Sequence, residues 1–557
     1  MGEGGRDKAM NPSMKNTIQR MQNIFRSHDS HRQFWGSVIT ILIVLVNVAV
    51  LTVVMHNKMP AYPVGWDAPY YITRVNQFIE LGVLSNRIGF VTSMASVQSV
   101  TGLPNVSLYI YFTVFITTVF SLFTALLASR VFLRHTFVLI FLATFWFVNS
   151  LALTTTTFDN ALGLSLCLLA VYALSKRSEN AVHAIPFFIV VLALSFTHFE
   201  SYLFFLGVFV IYALLVIFQK RSVGIFIREY KWFILPVIVS TVVAYIHWSD
   251  VVSAIFTYYT VSADPTGNAS VPYSQSASLR EFFRLTQSGI WSYAQSVVSV
   301  LGLTVLAWSV LRKKDSHAIP VLAYALAGYA LLFLAVMRGS IPINRAVIML
   351  PTAMLFGVGL AQLITFASRI AVIKKVLFLL ILISSIALPV LSARSFISRY
   401  PVSITPETYQ GIQELREYVQ KNNIRSFVIV TNTPEGTLAA SAYYGLWNNW
   451  SEAVLPVKNS DMEYCIYFGK LENYFFDLPT VRGENQEYND TNTESRRCVG
   501  AMQKSPAVFI IQGLYPGSYP PKAFSEILPQ EVGSHVYQLK LLGTTSAFLK
   551  NLSLHAE

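Results

Sequence analysis

The run GSVITILIVLVNVAVLTVVM, from Gly36 to Met55, carries no charged side chain. Its 20 residues, at ~1.5 Å per residue of helix, match the ~30 Å hydrocarbon core of a bilayer. Soon afterwards the stretch GWDAPYY, from Gly65 to Tyr71, places a carboxylate among aromatic side chains. Asp67 is therefore expected just beyond a membrane boundary, where low dielectric on one side makes a carboxylate more basic.

Two interpretations of Asp67 are open. Acidic residues at the edge of a membrane are functional in most cases, and a basic carboxylate suits a catalytic base. Asp before Ala-Pro is also a good helix start, so the same residue could cap the helix that follows. The position of Asp67 favours the functional interpretation.

Composition determines the class of protein. Of the 557 residues, 54% are hydrophobic and 13% are charged, and the mean hydropathy is +0.49. These values indicate an integral membrane protein. The net charge of +12 does not point to nucleic acid, because Lys and Arg lie mostly in short loops between apolar runs and so act as topology signals.

The apolar runs predict about eleven transmembrane helices. With residues 36 to 55, the runs cover residues 107–128, 136–153, 160–174, 184–197, 201–218, 232–248, 294–311, 318–336, 346–364 and 376–391. Basic residues concentrate in alternate loops, which places the polar segment 1–35 in the cytoplasm and the tail outside. The expected parts are a cytoplasmic N-terminus (1–35), a transmembrane domain (36–391) and an outer domain (392–557).

The tail, residues 392 to 557, changes character. A helical pattern runs from Thr405 to Lys421, and SFVIVT (426–431) and AVFIIQ (507–512) are typical of buried strands, with a further helix expected over 434–444. Alternating strands and helices predict a small extracytoplasmic α/β domain that serves as a lid or recognition domain. Cys465 and Cys498 could pair there, whereas Cys167 is expected to pack inside a span.

Unusual polar residues collect where the predicted spans meet the outer face. Asp159 follows four threonines and a phenylalanine, and either belongs to a site or caps a helix. His198 and Glu200 share the next outer hairpin, and form either a site or a packed boundary pair. Arg338 and Arg345 flank another outer loop, where guanidinium groups bind phosphate or reach lipid headgroups.

Two outer loops complete the predicted surface. Residues 57–105 carry the Asp67 motif and an amphipathic helix in the interface, with Ile72, Val75, Phe78 and Ile79 at helical spacing. Residues 250–295 form either a mobile flap with an interfacial helix or a plain loop. Carboxylates, a histidine and guanidinium groups at one membrane face suit a lipid-borne phosphate ester whose tail stays in the bilayer.

With these motifs in view, the chain resembles the GT-C glycosyltransferases, multi-spanning enzymes that use a polyprenyl-phosphate sugar carrier. The residues that carry the resemblance are Gly65 to Tyr71, the TFDNAL stretch at Thr157 to Leu162, THFE at Thr197 to Glu200, and Arg345 before a late span. The resemblance covers residues 36 to 391 and extends loosely to the tail. It implies transfer of a sugar, with inversion, to an acceptor hydroxyl on the outer face during cell-envelope glycan synthesis or protein glycosylation.

The resemblance also implies roles for individual residues. Asp67 would be the catalytic base, Asp159 a second acid and Arg345 the ligand of the carrier phosphate, with Tyr70, Tyr71, His198, Glu200 and Arg338 binding substrate. A lipid-linked sugar donor, a glycan, lipid or protein acceptor and membrane lipids are the expected partners, without nucleic acid. A divalent metal is possible. Two departures are clear: Ala68 stands where many members have a second acid, and no run of two tryptophans, Asp, Tyr and Gly is present.

Two other classes of protein are consistent with the composition. A secondary transporter would show matching halves and ionisable residues near the middle of the membrane. Here the ionisable residues cluster at one face, and the second half has no counterpart of the Asp67 motif. A non-catalytic scaffold with an outer interaction domain is the third interpretation. The sidedness pattern favours a glycosyltransferase. The expected location is the plasma membrane of a prokaryote rather than the endoplasmic reticulum.

Overall fold

The structure is a computed structural model. It describes residues 38, 40–54, 56, 68–81, 88–103, 105–129, 135–146, 158–175, 184–249, 292–312, 315–338, 349–367, 371–399, 404, 406–422, 426–431, 454–456, 463–468, 508–511, 530–533 and 536–539. The helices are α1 (Thr40–Val54), α2 (Ala68–Leu81), α3 (Ile88–Thr101), α4 (Asn105–Ser129), α5 (His135–Trp146), α6 (Phe158–Ser175), α7 (Ala184–Thr197), α8 (Phe199–Lys220), α9 (Val223–His247), α10 (Ser292–Leu311), α11 (Ala318–Arg338), α12 (Thr352–Ala367), α13 (Ala371–Arg399) and α14 (Pro406–Lys421).

Each apolar run predicted from the sequence coincides with a helix. These helices are α1, α4 to α13, and they carry the predicted multi-spanning architecture. Three of the described helices, α4, α8 and α9, are long and apolar enough to cross a membrane by themselves. Large apolar side chains remain on the outside of the bundle, such as Leu214 and Ile246, which are 60% and 68% exposed. A surface of this kind is stable against lipid rather than water.

Glycines allow close approach of the backbones at helix crossings in the bundle. A Cβ atom at Gly302 of α10 would fall on the carbonyl oxygen of Leu355 in α12, and one at Gly359 of α12 would fall on the carbonyl of Val298. Lipid tails are as apolar as leucine, so helices in a bilayer associate through close backbone packing, which small residues permit. The backbones of α10 and α12 are therefore in direct contact at this crossing.

The segment before α12 lies against the middle of α11. A Cβ atom at Gly328 would meet Pro351 Cδ at 3.0 Å and the carbonyl oxygen of Met349 at 3.1 Å. Gly328 precedes the last residue of α11 by ten positions, or about 15 Å of helix. The chain has thus returned to the middle of α11 before α12 begins. The helix that was predicted over residues 346–364 begins at Thr352 in the structure.

Residues 57–105, expected to carry one interfacial helix, contain two. The first, α2, buries Ile72 and Val75 as its periodicity predicts, and its Ile79 is 42% exposed. The second, α3, was not predicted because its apolar residues are spread around the helix rather than along one face. Gly89 lets α3 approach Thr197 at the end of α7. Helix α3 is therefore packed onto the end of α7.

The tail forms a six-stranded mixed sheet. Its strands are β1 (Ser426–Thr431), β2 (Val454–Pro456), β3 (Glu463–Phe468), β4 (Val508–Ile511), β5 (Gln530–Gly533) and β6 (Val536–Leu539), in the order β2-β3-β1-β4-β6-β5. Strands β3, β1 and β4 are parallel. Tyr418 of α14 packs edge-on against Phe509 of β4. The predicted α/β class of this region is confirmed.

Several predicted features lie outside the described residues. They are the helix over 434–444, the pairing of Cys465 with Cys498, and most of the segment 250–295, of which residues 292–295 form the first turn of α10. Cys167 is a free, fully buried side chain in α6, in agreement with a packing role.

Replacing Gly302 or Gly359 with alanine will destabilise the bundle, because each methyl group must displace a backbone carbonyl of the neighbouring helix. Overpacking of this kind costs about 1–3 kcal/mol. The thermal unfolding midpoint of the purified protein in micelles measures the effect. Gly207→Ala in α8 is the matched control, since a Cβ there meets nothing within 4 Å. Equal midpoints for all three variants would contradict the close approach of α10 and α12.

Candidate active site

Four helix ends meet at one end of the bundle. Helices α6 and α8 begin there, and α7 and α9 end there. Asp159 in the first turn of α6 faces His198, which lies between α7 and α8. The indole N–H of Trp248, at the end of α9, donates to the carbonyl of Ser195 near the end of α7 at 2.7 Å. Helices α2 and α3 lie over the same end. Two helix N-termini carry partial positive charge at this point, which favours carboxylates in their first turns.

The Asp159 carboxylate is the centre of the site. It is fully buried, and the Tyr71 hydroxyl of α2 donates a hydrogen bond to its Oδ1. Burial of an ionised carboxylate is very unfavourable unless donors compensate it. The bond therefore links α2 to the bundle. Breaking this bond would leave the buried charge of Asp159 without the Tyr71 donor. Asp159 is the second residue of α6 and not the residue that caps it.

His198 lies beside Asp159 with a defined orientation. As the N-cap of α8, its Nδ1 accepts the backbone N–H of Ser201 at 3.2 Å and lies 2.9 Å from the Ser201 hydroxyl. In a neutral imidazole an accepting Nδ1 leaves the proton on Nε2. Nε2 is 3.9 Å from Oδ2 of Asp159. This separation is too long for a hydrogen bond but within ion-pair range once the ring is protonated.

An aromatic cluster, composed of Tyr71, Phe90, Tyr109, Phe112 and Phe158, surrounds the Tyr71–Asp159 bond. Phe90 stacks on Phe158 with ring centroids 5.4 Å apart, and Tyr109 meets Phe158 edge-on at 4.4 Å. The cluster draws on α2, α3, α4 and α6. It excludes water from the buried carboxylate, and the low dielectric strengthens the hydrogen bond that Asp159 accepts.

Two features hold α8 in register with α6 and α9. A Cβ atom at Gly163 of α6 would lie 2.7 Å from the Ser201 hydroxyl oxygen and 2.9 Å from His198 Cβ, so glycine permits the approach of α8. Tyr202 lies one turn after His198 in α8. Its hydroxyl is 2.9 Å from the Ser240 hydroxyl and 2.8 Å from the Thr241 hydroxyl, both of α9. The position of His198 is thus fixed from both sides.

The structure brings three of the predicted site residues together: Tyr71, Asp159 and His198. Glu200, in the first turn of α8, is partly buried two residues beyond His198. Tyr70 belongs to α2 and Arg338 is the last residue of α11, but their side chains lie outside the described part of the chain. Asp67 and Arg345 also lie outside it; Asp67 directly precedes Ala68, the first residue of α2.

Sequence reasoning missed the residues that enclose the site. Phe90, Tyr109, Phe112 and Gly163 come from apolar helices in which nothing marks them out from their neighbours. Phe158 carried the one usable signal, since it directly precedes Asp159. The structure also joins Tyr71 to Asp159 across 88 positions of sequence.

A metal would need further ligands. Among the described residues, no group of three or more His, Cys, Asp or Glu side chains is placed to hold an ion. Asp159 and His198 offer two donors at most, and the Oδ1 atom of Asp159 already accepts from Tyr71. A divalent ion at this site would therefore depend on Asp67 or another residue beyond the described set.

No family model and no curated protein matches the sequence. Solved structures match by fold. The oligosaccharyltransferase of Archaeoglobus fulgidus, in its apo form, superimposes with a TM-score of 0.53 at 11% identity over 75% of this chain. The present chain spans 64% of the length of that protein.

ArnT from Cupriavidus metallidurans is similar over almost its whole length. Its apo structure gives a TM-score of 0.52 at 12% identity and covers 89% of this chain and 97% of ArnT. Its structure bound to undecaprenyl phosphate gives a TM-score of 0.52 at 11% identity and covers 90% and 98%. The chain thus has the fold of these two proteins, which confirms the multi-spanning fold expected from the sequence.

Removing the Tyr71 hydroxyl will destabilise the protein, because Tyr71→Phe leaves the buried Asp159 carboxylate without this donor. The expected loss is about 1–3 kcal/mol in the free energy of unfolding. Asp159→Asn will also destabilise it, and the double variant will lose less than the sum of the two, since both remove one interaction. Unfolding of the purified variants in micelles measures these effects.

Tyr111→Phe is the matched control for this cycle. Tyr111 lies on α4 at the same end of the bundle and is 44% exposed, so loss of its hydroxyl should change stability by less than 0.5 kcal/mol or so. Additive effects of Tyr71→Phe and Asp159→Asn would show that the two side chains are not coupled.

Proposed function

We propose that the protein is a membrane glycosyltransferase that moves a sugar from a polyprenyl-phosphate carrier to an acceptor hydroxyl on the extracytoplasmic face. The observation that carries this proposal is the buried Tyr71–Asp159–His198 cluster at one end of a GT-C fold. The likeness to ArnT, whose structure has been solved with undecaprenyl phosphate, supports a lipid phosphate as the carrier.

Asp67 is the proposed catalytic base. It directly precedes α2, and Tyr71, one turn into α2, is held by the buried Asp159. Consecutive Cα atoms are ~3.8 Å apart, so chain connectivity keeps Asp67 within about 10 Å of Tyr71. A carboxylate there takes the proton of the acceptor hydroxyl as its oxygen attacks the anomeric carbon. Asp159 in this scheme is the second acid, and it acts by fixing α2.

The leaving group is the carrier phosphate. As the acceptor oxygen bonds to the anomeric carbon with inversion, the bond from that carbon to the phosphate oxygen breaks and its electron pair stays on the phosphate. Guanidinium groups bind such an anion in a bidentate manner and stabilise its developing charge. Arg345 is the proposed ligand of the phosphate and Arg338 a second one, with Tyr70, Tyr71, His198 and Glu200 toward the sugar and the acceptor.

The remaining assignments follow the predicted topology. Residues 392–557 are proposed as an extracytoplasmic lid or recognition domain, with residues 1–35 in the cytoplasm and the protein in a prokaryotic plasma membrane. The acceptor is a glycan, a lipid or a protein of the cell envelope. If a divalent ion is bound, Asp159, His198 and Asp67 are the candidate ligands, and it would help to neutralise phosphate charge.

Asp67→Asn will lower the rate of sugar transfer, because the amide cannot accept the proton of the acceptor hydroxyl. We expect a decrease of at least about 100-fold, the low end of the range for general base catalysis. The assay uses proteoliposomes, a panel of polyprenyl-phosphate-linked hexoses and pentoses, and a membrane extract of a deletion strain as the source of acceptor. Released polyprenyl phosphate is measured by mass spectrometry.

Asp315→Asn is the control for this assay. Asp315 stands in the turn between α10 and α11, where its carboxylate accepts the backbone N–H of His317 at 2.9 Å, and an amide oxygen can replace it. Transfer retained by Asp67→Asn would remove the base assignment. Failure of the wild type with every donor, or carrier-independent uptake of a solute, would refute the glycosyltransferase and favour a scaffold or a transporter.

The capping and polar roles of His198 can be separated. Asn is a good N-cap, so His198→Asn retains an acceptor for the Ser201 N–H and leaves stability nearly unchanged, whereas His198→Ala loses about 0.5–2 kcal/mol. Because His198→Asn removes the imidazole Nε2 that lies 3.9 Å from Oδ2 of Asp159, we expect its transfer rate to fall several-fold. A variant with wild-type transfer at every pH would reduce His198 to a helix cap.

A further inference from the structure

An apolar groove lies between α7 and α9, away from the candidate active site. Its volume is about 360 Å³, and its walls are the first turns of α7, from Ala184 to Phe188, and the face of α9 from Trp232 to Val239. Pro236 contributes to the wall; it has no N–H to donate to the carbonyl of Trp232, and its ring needs room at that turn. The groove is lined almost entirely by carbon atoms.

Cationic side chains stand at one end of the groove. Arg228 precedes Trp232 by four residues and Leu235 by seven, so it continues the groove-lining face of α9. Lys231 is adjacent, and its Nζ lies 5.3 Å from the centre of the Trp232 ring. Both side chains are exposed, and Trp232 is 39% exposed. The face of α9 that lines the groove thus continues from apolar to cationic side chains toward the start of the helix.

This arrangement matches the chemistry of an anionic phospholipid. An acyl chain suits a carbon-lined groove that opens to the bilayer, and a phosphate group suits a Lys and an Arg at its end. Trp at the boundary is typical of the headgroup region. Glu229 lies between Arg228 and Lys231 in the sequence, but its Oε1 is 3.9 Å from Nζ of Lys220. It therefore does not by itself cancel the charge of Arg228 and Lys231.

The groove is separate from the Tyr71–Asp159–His198 cluster. Arg228 lies 20 residues before Trp248, which marks the cluster end of α9, so about 30 Å of helix separates them. That distance equals the thickness of the hydrocarbon core. A lipid in the groove therefore belongs to the opposite leaflet from the one that the cluster faces.

We propose that this groove binds an anionic phospholipid of the bilayer, with an acyl chain between α7 and α9 and its phosphate on Arg228 and Lys231. The site does not depend on the proposed sugar transfer. A lipid bound in the groove holds α9 in place within one leaflet. It thereby supports the α8–α9 contacts that position His198.

Native mass spectrometry of the full chain released from micelles tests this site. Titration with dioleoylphosphatidylglycerol should give one tight adduct, at least tenfold tighter than with dioleoylphosphatidylcholine. The double variant Arg228→Gln/Lys231→Gln should bind phosphatidylglycerol roughly thirtyfold more weakly, since each basic residue near the surface contributes about fivefold. Unfolding midpoints without added lipid should match the wild type and so show that both proteins are folded.

Two further variants make the result specific. Arg312→Gln is the matched control, because Arg312 also lies over a tryptophan, 5.6 Å from the Trp308 ring, but outside the groove; its affinity should stay within twofold of wild type. Val239→Phe narrows the groove and leaves both cations in place, and it should weaken the adduct at least fivefold. Equal binding of the two lipids, an equal loss with Arg312→Gln, or no effect of Val239→Phe would overturn the proposal.

Discussion

The hydrogen bond from Tyr71 to the buried Asp159 carboxylate is the interaction on which the candidate site depends. An ionised carboxylate excluded from water must be compensated by donors at short range, and the Tyr71 hydroxyl from another helix is one of these. The bond is formed only when α2, a helix outside the predicted spans, is seated on the bundle. Burial of one acid thereby fixes α2 against the bundle.

Close helix packing makes this arrangement possible. Gly89 and Gly163 allow α3 and α8 to reach distances at which any Cβ atom would collide with a neighbour. The same principle acts at the α10–α12 crossing, where lipid provides no hydrophobic driving force for association. Rigid packing at the site therefore has the same physical origin as the stability of the bundle, and the two are expected to change together.

The two ends of the α7–α9 region have opposite chemistry. At one end, helix N-termini, Asp159 and His198 form a dry polar site lined by aromatic rings. Toward the other end, Arg228 and Lys231 precede the apolar groove along α9. The functions proposed for the two ends differ: sugar transfer at the first and binding of a phospholipid at the second. The separation of about 30 Å along α9 lets one helix serve both leaflets.

The sequence by itself determined the membrane class, the run of spans, the α/β nature of the tail and the acids at helix starts, because hydrophobic length and local motifs depend on neighbouring residues alone. It did not reveal α3, whose apolar residues extend around the helix beyond the face that is buried, nor the return of residues 349–351 to the middle of α11. The tertiary structure alone decided that Tyr71, Asp159 and His198 meet, since they are far apart in the chain and their contact requires three helices to pack. The groove between α7 and α9 could be found only in the structure. Its walls come from two helices, and the sequence of either helix does not show how the two pack together.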